Sequence, residues 1–117
     1  MPDHYELREY LTATGQSPFA DWLNRLRDRR ARAQIRARLD RATLGHLGDC
    51  EPVGEGVYEL RIFYGPGYRV YFGREGEAVL LLLCGGTKPS QRRDIARAHT
   101  YWRDYRRRDD AEKPTLP

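Results

Sequence analysis

The sequence predicts an α+β domain, a mostly antiparallel sheet with helices packed on one side of it, in the order β-α-α-β-β-β-α. Three observations predict it. Between Phe19 and Ala42 apolar residues recur at spacings of three and four, the mark of amphipathic helices. From Val57 to Phe72 the period changes to two, the mark of half-buried strands. The run Ala78 to Cys84 is apolar throughout and strand-length, which suits a central strand covered on both faces.

The elements follow in order. Tyr5 to Thr12, with Leu7 and Tyr10-Leu11 among charges, reads as a short strand, and Thr14-Gly15-Gln16 breaks it. Ser17 is a helix cap with Pro18 in the first turn, where a missing N–H costs nothing. Phe19, Trp22, Leu23 and Leu26 form the first apolar stripe. A second runs through Ala31, Ile35, Leu39 and Ala42 until Gly45 and Gly48 stop it. The rest of this hairpin is dense in arginine (residues 25, 27, 29, 30, 32, 36, 38 and 41), which reads mainly as a solvated face.

Tyr58, Leu60, Ile62 and Tyr64 alternate with Glu59, Arg61 and Phe63. After the turn Gly65-Pro66-Gly67, Tyr68, Val70 and Phe72 alternate with Arg69 and Tyr71. Glu75-Gly76 makes a second hairpin turn, and Gly85-Gly86 ends the apolar strand. Ser90 caps a last helix with Ile95, Ala98, Trp102 and Tyr105 as its buried stripe. Length allows a single domain, 1–105, and the charged residues 106–117 read as a frayed tail.

Of 21 basic residues only Lys88 and Lys113 are lysine, and the net charge is +4. Arginine pairs bidentately with phosphate and stacks on bases, so this composition points to a polyanion; a solvated arginine-rich surface is the plainer explanation. No run is long and apolar enough for a membrane span, and no basic-then-apolar leader opens the chain. Cys50 and Cys84 are isolated, so a cytoplasmic protein with reduced thiols is the expectation. His4, His46 and His99 have no ligand partners at metal-binding spacing, so neither a metal nor a cofactor is expected.

The hairpin carries the sharpest expectation. If Leu60 and Ile62 share a core with Val70 and Tyr68, the pairings 60–70 and 62–68 follow, because a slip of one residue would expose one apolar set. That register sets Arg61 opposite Arg69 on the other face. Like charges facing each other destabilise a sheet. A phosphate between them would relieve the repulsion; so would Glu59, Tyr71 or a nearby carboxylate. Tyr71 shares that face and is placed to stack on a base. The second candidate is Gly85-Gly86-Thr87-Lys88-Pro89-Ser90-Gln91-Arg92-Arg93, which leaves a strand and enters a helix N-terminus, where backbone N–H groups favour an anion.

Taken together, Gly56-Val57-Tyr58-Glu59-Leu60-Arg61, Gly65-Pro66-Gly67-Tyr68-Arg69-Val70-Tyr71-Phe72 and Leu82-Leu83-Cys84-Gly85-Gly86-Thr87-Lys88, with Gln91 and Asp94-Ile95, resemble the RelE/ParE superfamily of toxins. The likeness is to its HigB-like branch of phage-derived addiction-module killer proteins and covers residues 4 to 105. It implies a microbial-RNase-like fold and metal-free cleavage of mRNA on the ribosome. It also implies a small antitoxin partner of helix-turn-helix type. The 2′-hydroxyl would attack the adjacent phosphate, with Arg61 and Arg69 stabilising the growing charge and Lys88 or Tyr71 moving protons. His99 is a third proton carrier and, with Gln91, Arg92 and Arg93, an RNA contact. ParE-like members share the fold but poison DNA gyrase and cut no RNA; a basic RNA-binding module without toxicity is the third possibility.

Overall fold

A computed structural model describes residues 3–112. It is an α+β domain with three helices and a five-stranded mixed sheet in the order β1-β5-β4-β3-β2. The strands are β1 (Glu6–Glu9), β2 (Cys50–Pro52), β3 (Val57–Ile62), β4 (Tyr68–Glu75) and β5 (Val79–Thr87). Helices α1 (Pro18–Arg25) and α2 (Arg29–Thr43) form a hairpin after β1, and α3 (Gln91–Glu112) closes the chain. β1 runs parallel to β5, while the other three pairings are antiparallel.

Local chemistry accounts for the helix boundaries. Ser17 caps α1 by accepting the Ala20 N–H at 3.1 Å, as its position before Pro18 suggests. Asp28 caps α2, accepting from Arg30 and Ala31 at 2.9 and 3.2 Å. Ala31, Ile35, Leu39 and Ala42 are all buried, as their spacing requires. The β3–β4 register is the one parity demands: Leu60 pairs with Val70, Ile62 with Tyr68 and Arg61 with Arg69.

Four expectations are corrected. First, the helices cover both faces of the sheet. Phe19, Leu23, Ile35 and Leu39 pack with Leu60, Val70, Phe72 and Leu82 on one face; Ala98 and Trp102 of α3 pack with Val57, Tyr71, Leu81 and Leu83 on the other. The all-apolar β5 fits this sandwiching, since both its faces are dry. Second, β2 is an additional strand. It is short, lies at the sheet edge and contains Pro52, which has no N–H to offer a further neighbour.

Third, β5 runs through Gly85-Gly86 to Thr87 instead of ending there. A shift in its pairing with β4 between Tyr71 and Phe72 leaves β5 one residue longer, a bulge that re-aims the strand end. The two glycines then serve opposite faces. A Cβ on Gly85 would run into the Trp22 ring of α1, and one on Gly86 into the Asp94 carboxylate of α3. Fourth, residues 106–112 continue α3 and are not frayed. Arg108 donates to Asp104 and to the Leu11 carbonyl, both at 2.6 Å, and Tyr105 donates to Glu75 of β4. The remaining tail, 113–117, lies outside the described residues.

Candidate functional site

The arginine pair sits next to the turn of the β3–β4 hairpin, on the face that α3 covers. Strand alternation puts Glu59 and Arg61 on this face of β3, with Arg69 and Tyr71 beside them on β4. Gln91, the first residue of α3, reaches down from above. All of them converge on Glu59. Its carboxylate accepts from Arg61 Nε at 2.9 Å, Arg69 Nη1 at 2.8 Å, the Tyr71 hydroxyl at 3.0 Å and Gln91 Nε2 at 2.8 Å.

Glu59 is fully buried. Burial by itself pushes its carboxyl pKa up, but the donors from Arg61, Gln91, Arg69 and Tyr71 outweigh it and hold the group below its ordinary value. The anion that relieves the Arg61–Arg69 repulsion is therefore this internal carboxylate. Of the two sources weighed from sequence, the protein supplies its own.

The two arginines are not equivalent. The Arg69 side chain is 12% exposed, tied by Nη1 to Glu59, and its Nε is buried with no hydrogen-bond partner among the described residues. Arg61 is 35% exposed; Nε is spent on Glu59, while Nη1 lies 4.0 Å from Asp49 at the sheet edge. Glu59 thus acts as an anchor that aims Arg61 outward. Counting these three groups, the cluster keeps one net positive charge.

The other sequence candidates divide. Lys88 is exposed at the same end of the sheet, its backbone N–H bonded to the Gly67 carbonyl at 2.9 Å. Gln91 belongs to the cluster but is spent on Glu59. Arg92 and Arg93 are exposed on the first turn of α3. Tyr71 is on the expected face, yet its ring is fully buried beneath α3 and burial drives its hydroxyl pKa well up, so it offers no stacking surface and no ready proton. His99 lies about 12 Å further along α3, at 1.5 Å rise per residue. It bonds the Val53 carbonyl at 2.9 Å and faces Glu55 at 3.4 Å, so it does not join the arginines.

Two buried polar residues escaped the sequence reading, whereas Glu59, which shares the parity of Arg61, was weighed there as a counter-charge. Asp94 is 2% exposed and precedes Ala98 and Trp102 at spacings of four, so the stripe pointed to it. It accepts from Ser90, whose hydroxyl also takes the Thr87 N–H at 3.2 Å. Arg38 is 7% exposed, and nothing in its spacing set it apart from its solvated neighbours. Among the described residues no group of three or more His, Cys, Asp or Glu could hold a metal ion, and no helix is long and apolar enough to cross a membrane.

No protein-family model matches the chain. Over 80 residues, 68% of this chain and 81% of the relative, it is 45% identical to an uncharacterized protein from Haemophilus influenzae.

Proposed function

Since the chain belongs to the same family as this Haemophilus influenzae protein, whose name assigns no activity, we propose a function from the chain's own surface. It is the toxin of a type II toxin–antitoxin pair, of RelE-like fold and HigB-like type. It acts in the cytoplasm as a ribosome-dependent, metal-independent mRNA endonuclease, and a helix-turn-helix antitoxin restrains it. The observation that carries this reading is Arg61. Its guanidinium is fixed by Glu59 through Nε and turned to solvent at the rim of a basic cluster.

The proposed chemistry is a metal-free transesterification. The RNA 2′-oxygen would attack the adjacent phosphorus as the bond from phosphorus to the 5′-oxygen breaks. The products are a 2′,3′-cyclic phosphate and a 5′-hydroxyl. Arg61 would meet the charge gathering on the non-bridging oxygens, and an arginine oriented beforehand does so without reorganising at the moment of reaction. Lys88, exposed at this end of the sheet, would exchange protons. Arg92 and Arg93 would hold the flanking backbone, and Glu59, Arg69, Tyr71 and Gln91 would position Arg61. The ribosome would supply the in-line orientation of the strand.

A second reading, the ParE-like gyrase inhibitor, is favoured by one observation: Arg69 already has a counter-charge in Glu59, so its charge needs no phosphate. Induction in a bacterial host separates the two. The RNase reading expects growth arrest and new mRNA 5′ ends within codons, both abolished by Arg61→Ala, with gyrase supercoiling intact. Arrest with intact mRNA and failed supercoiling would replace it with the gyrase reading.

A further inference from the structure

A groove of about 470 Å³ opens where the C-terminal half of α2, the loop 46–49 and the end of β3 meet. Arg38, Arg41, His46, Asp49, Arg61 and Phe63 line it. Three guanidinium groups and an imidazole thus face one carboxylate. Arg61 belongs to this groove and to the Glu59 cluster alike, so the two are continuous.

Arg38 is the unusual member. It is buried, yet its described hydrogen bond is to a backbone carbonyl, that of Asp49, at 3.3 Å, and no carboxylate pairs with it among the described residues. Its guanidinium lies flat against Gly48, where a Cβ would collide with it. Burial lowers its pKa and the like charge of Arg41 lowers it further, against a smaller opposite pull from Cys50 and Asp49. A cation taken out of water without a counter-ion is costly to the fold. An anion entering the groove would supply what Arg38 lacks. At the mouth stands Phe63, 84% exposed, a large apolar ring that no element among the described residues covers.

We propose that this groove takes the next nucleotide of a single-stranded RNA, its phosphate gripped by Arg38 and Arg41 and its base stacked on Phe63. The proposal rests on the RNA reading above and extends the strand's path from Arg61 along the edge of α2. Planar guanidinium forks fit phosphate oxygens bidentately, and an exposed aromatic side chain is the usual platform for an unpaired base. An acidic peptide would use the forks but leave Phe63 idle, so the nucleotide is the better match.

The test is fluorescence anisotropy with a labelled single-stranded RNA of about ten nucleotides, on wild type, Arg41→Gln, Phe63→Ala and Arg61→Ala. A labelled oligoglutamate peptide is run in parallel. Arg41 and Phe63 are exposed, so their variants are expected to fold, which circular dichroism checks. Phe63→Ala should weaken RNA binding about tenfold, and Arg41→Gln should flatten the slope of log affinity against log salt by about 0.7. If both bind RNA as wild type does while Arg61→Ala weakens it, the groove assignment is overturned and the RNA reading stands. Wild type that binds no RNA even at low salt overturns both. Groove variants that lose only the peptide would give the groove to an acidic protein partner and overturn the proposal.

Discussion

Glu59 is a carboxylate with no water access, and it survives as an anion only because Arg61, Arg69, Tyr71 and Gln91 all donate to it. Removing its charge without changing its size isolates that role. Glu59→Gln would leave Arg69, mostly buried, with no counter-charge; breaking such a pair from one side costs about 3–5 kcal/mol. Arg61 is one-third exposed and can recover water, so the lower end applies. Denaturant unfolding at neutral pH measures it. The pH dependence adds a second signature. Folding lowers the Glu59 pKa, so its contribution is complete above the ordinary value of 4.5 and drains away as pH falls through the depressed folded value. Wild type should therefore lose stability in acid faster than the variant, and the two curves should converge. Curves that stay parallel down to the acid limit would show that the ionised carboxylate does not hold this cluster together.

At the scale of elements, the domain is assembled by seating aromatic rings on glycines. Trp102 of α3 lies over Gly73 of β4 and Trp22 of α1 over Gly85 of β5, on opposite faces. Neither glycine has positive φ, so it is space rather than backbone conformation that demands them. Gly73→Ala should cost about 1–3 kcal/mol by overpacking, and it should move Trp102 emission because α3 must lift. A change within 0.5 kcal/mol and an unmoved spectrum would mean the ring has room to slide. This pairing also explains what was legible beforehand. Parity told which strand residues share a face, so the 60–70 and 61–69 register could be read from Leu60, Ile62, Val70 and Tyr68 alone. Helix stripes told which side of each helix is buried. Neither signal says which helix covers which face of the sheet, and that assignment decides that Tyr71 is sealed under α3. The bulge and the edge strand β2 were silent because an unbroken apolar run and a three-residue segment carry no period. The end of α3 looked frayed because Arg106 to Asp110 is an unbroken run of charge with no apolar stripe, yet Arg107 and Arg108 pair with Asp104 at helical spacing, which supports the helix.

Across the whole molecule, the sheet separates two cores, and the one beneath α3 holds the groups whose ionisation folding suppresses most strongly. Burial, with the hydrogen bond to Asp104, pushes Tyr10 up to about 12; burial and Glu75 push Tyr105 up to about 12. Burial likewise pushes the Cys84 thiol up to about 12. Folding thus holds all three neutral past their ordinary values of 10.0, 10.0 and 9.0. A raised pKa stabilises the fold fully below the unfolded value and loses that contribution as pH rises through the folded one. Alkaline unfolding is therefore expected between about pH 10 and 12, driven from the α3 side. Both cores share β4 and β5, so α3 cannot leave without exposing Tyr71, Leu81 and Leu83 in the middle of the sheet. A domain this small should then lose both cores in one cooperative step. The check is a pH titration that follows tyrosinate absorbance and far-ultraviolet circular dichroism on one sample. Tyr10 and Tyr105 should ionise only as helical signal is lost, with the two midpoints coincident above pH 10. Tyrosinate that rises fully while the helices stand intact would mean that the hydroxyls of Tyr10 and Tyr105 are not held by the α3 contact, and that α3 is secured by its apolar stripe alone.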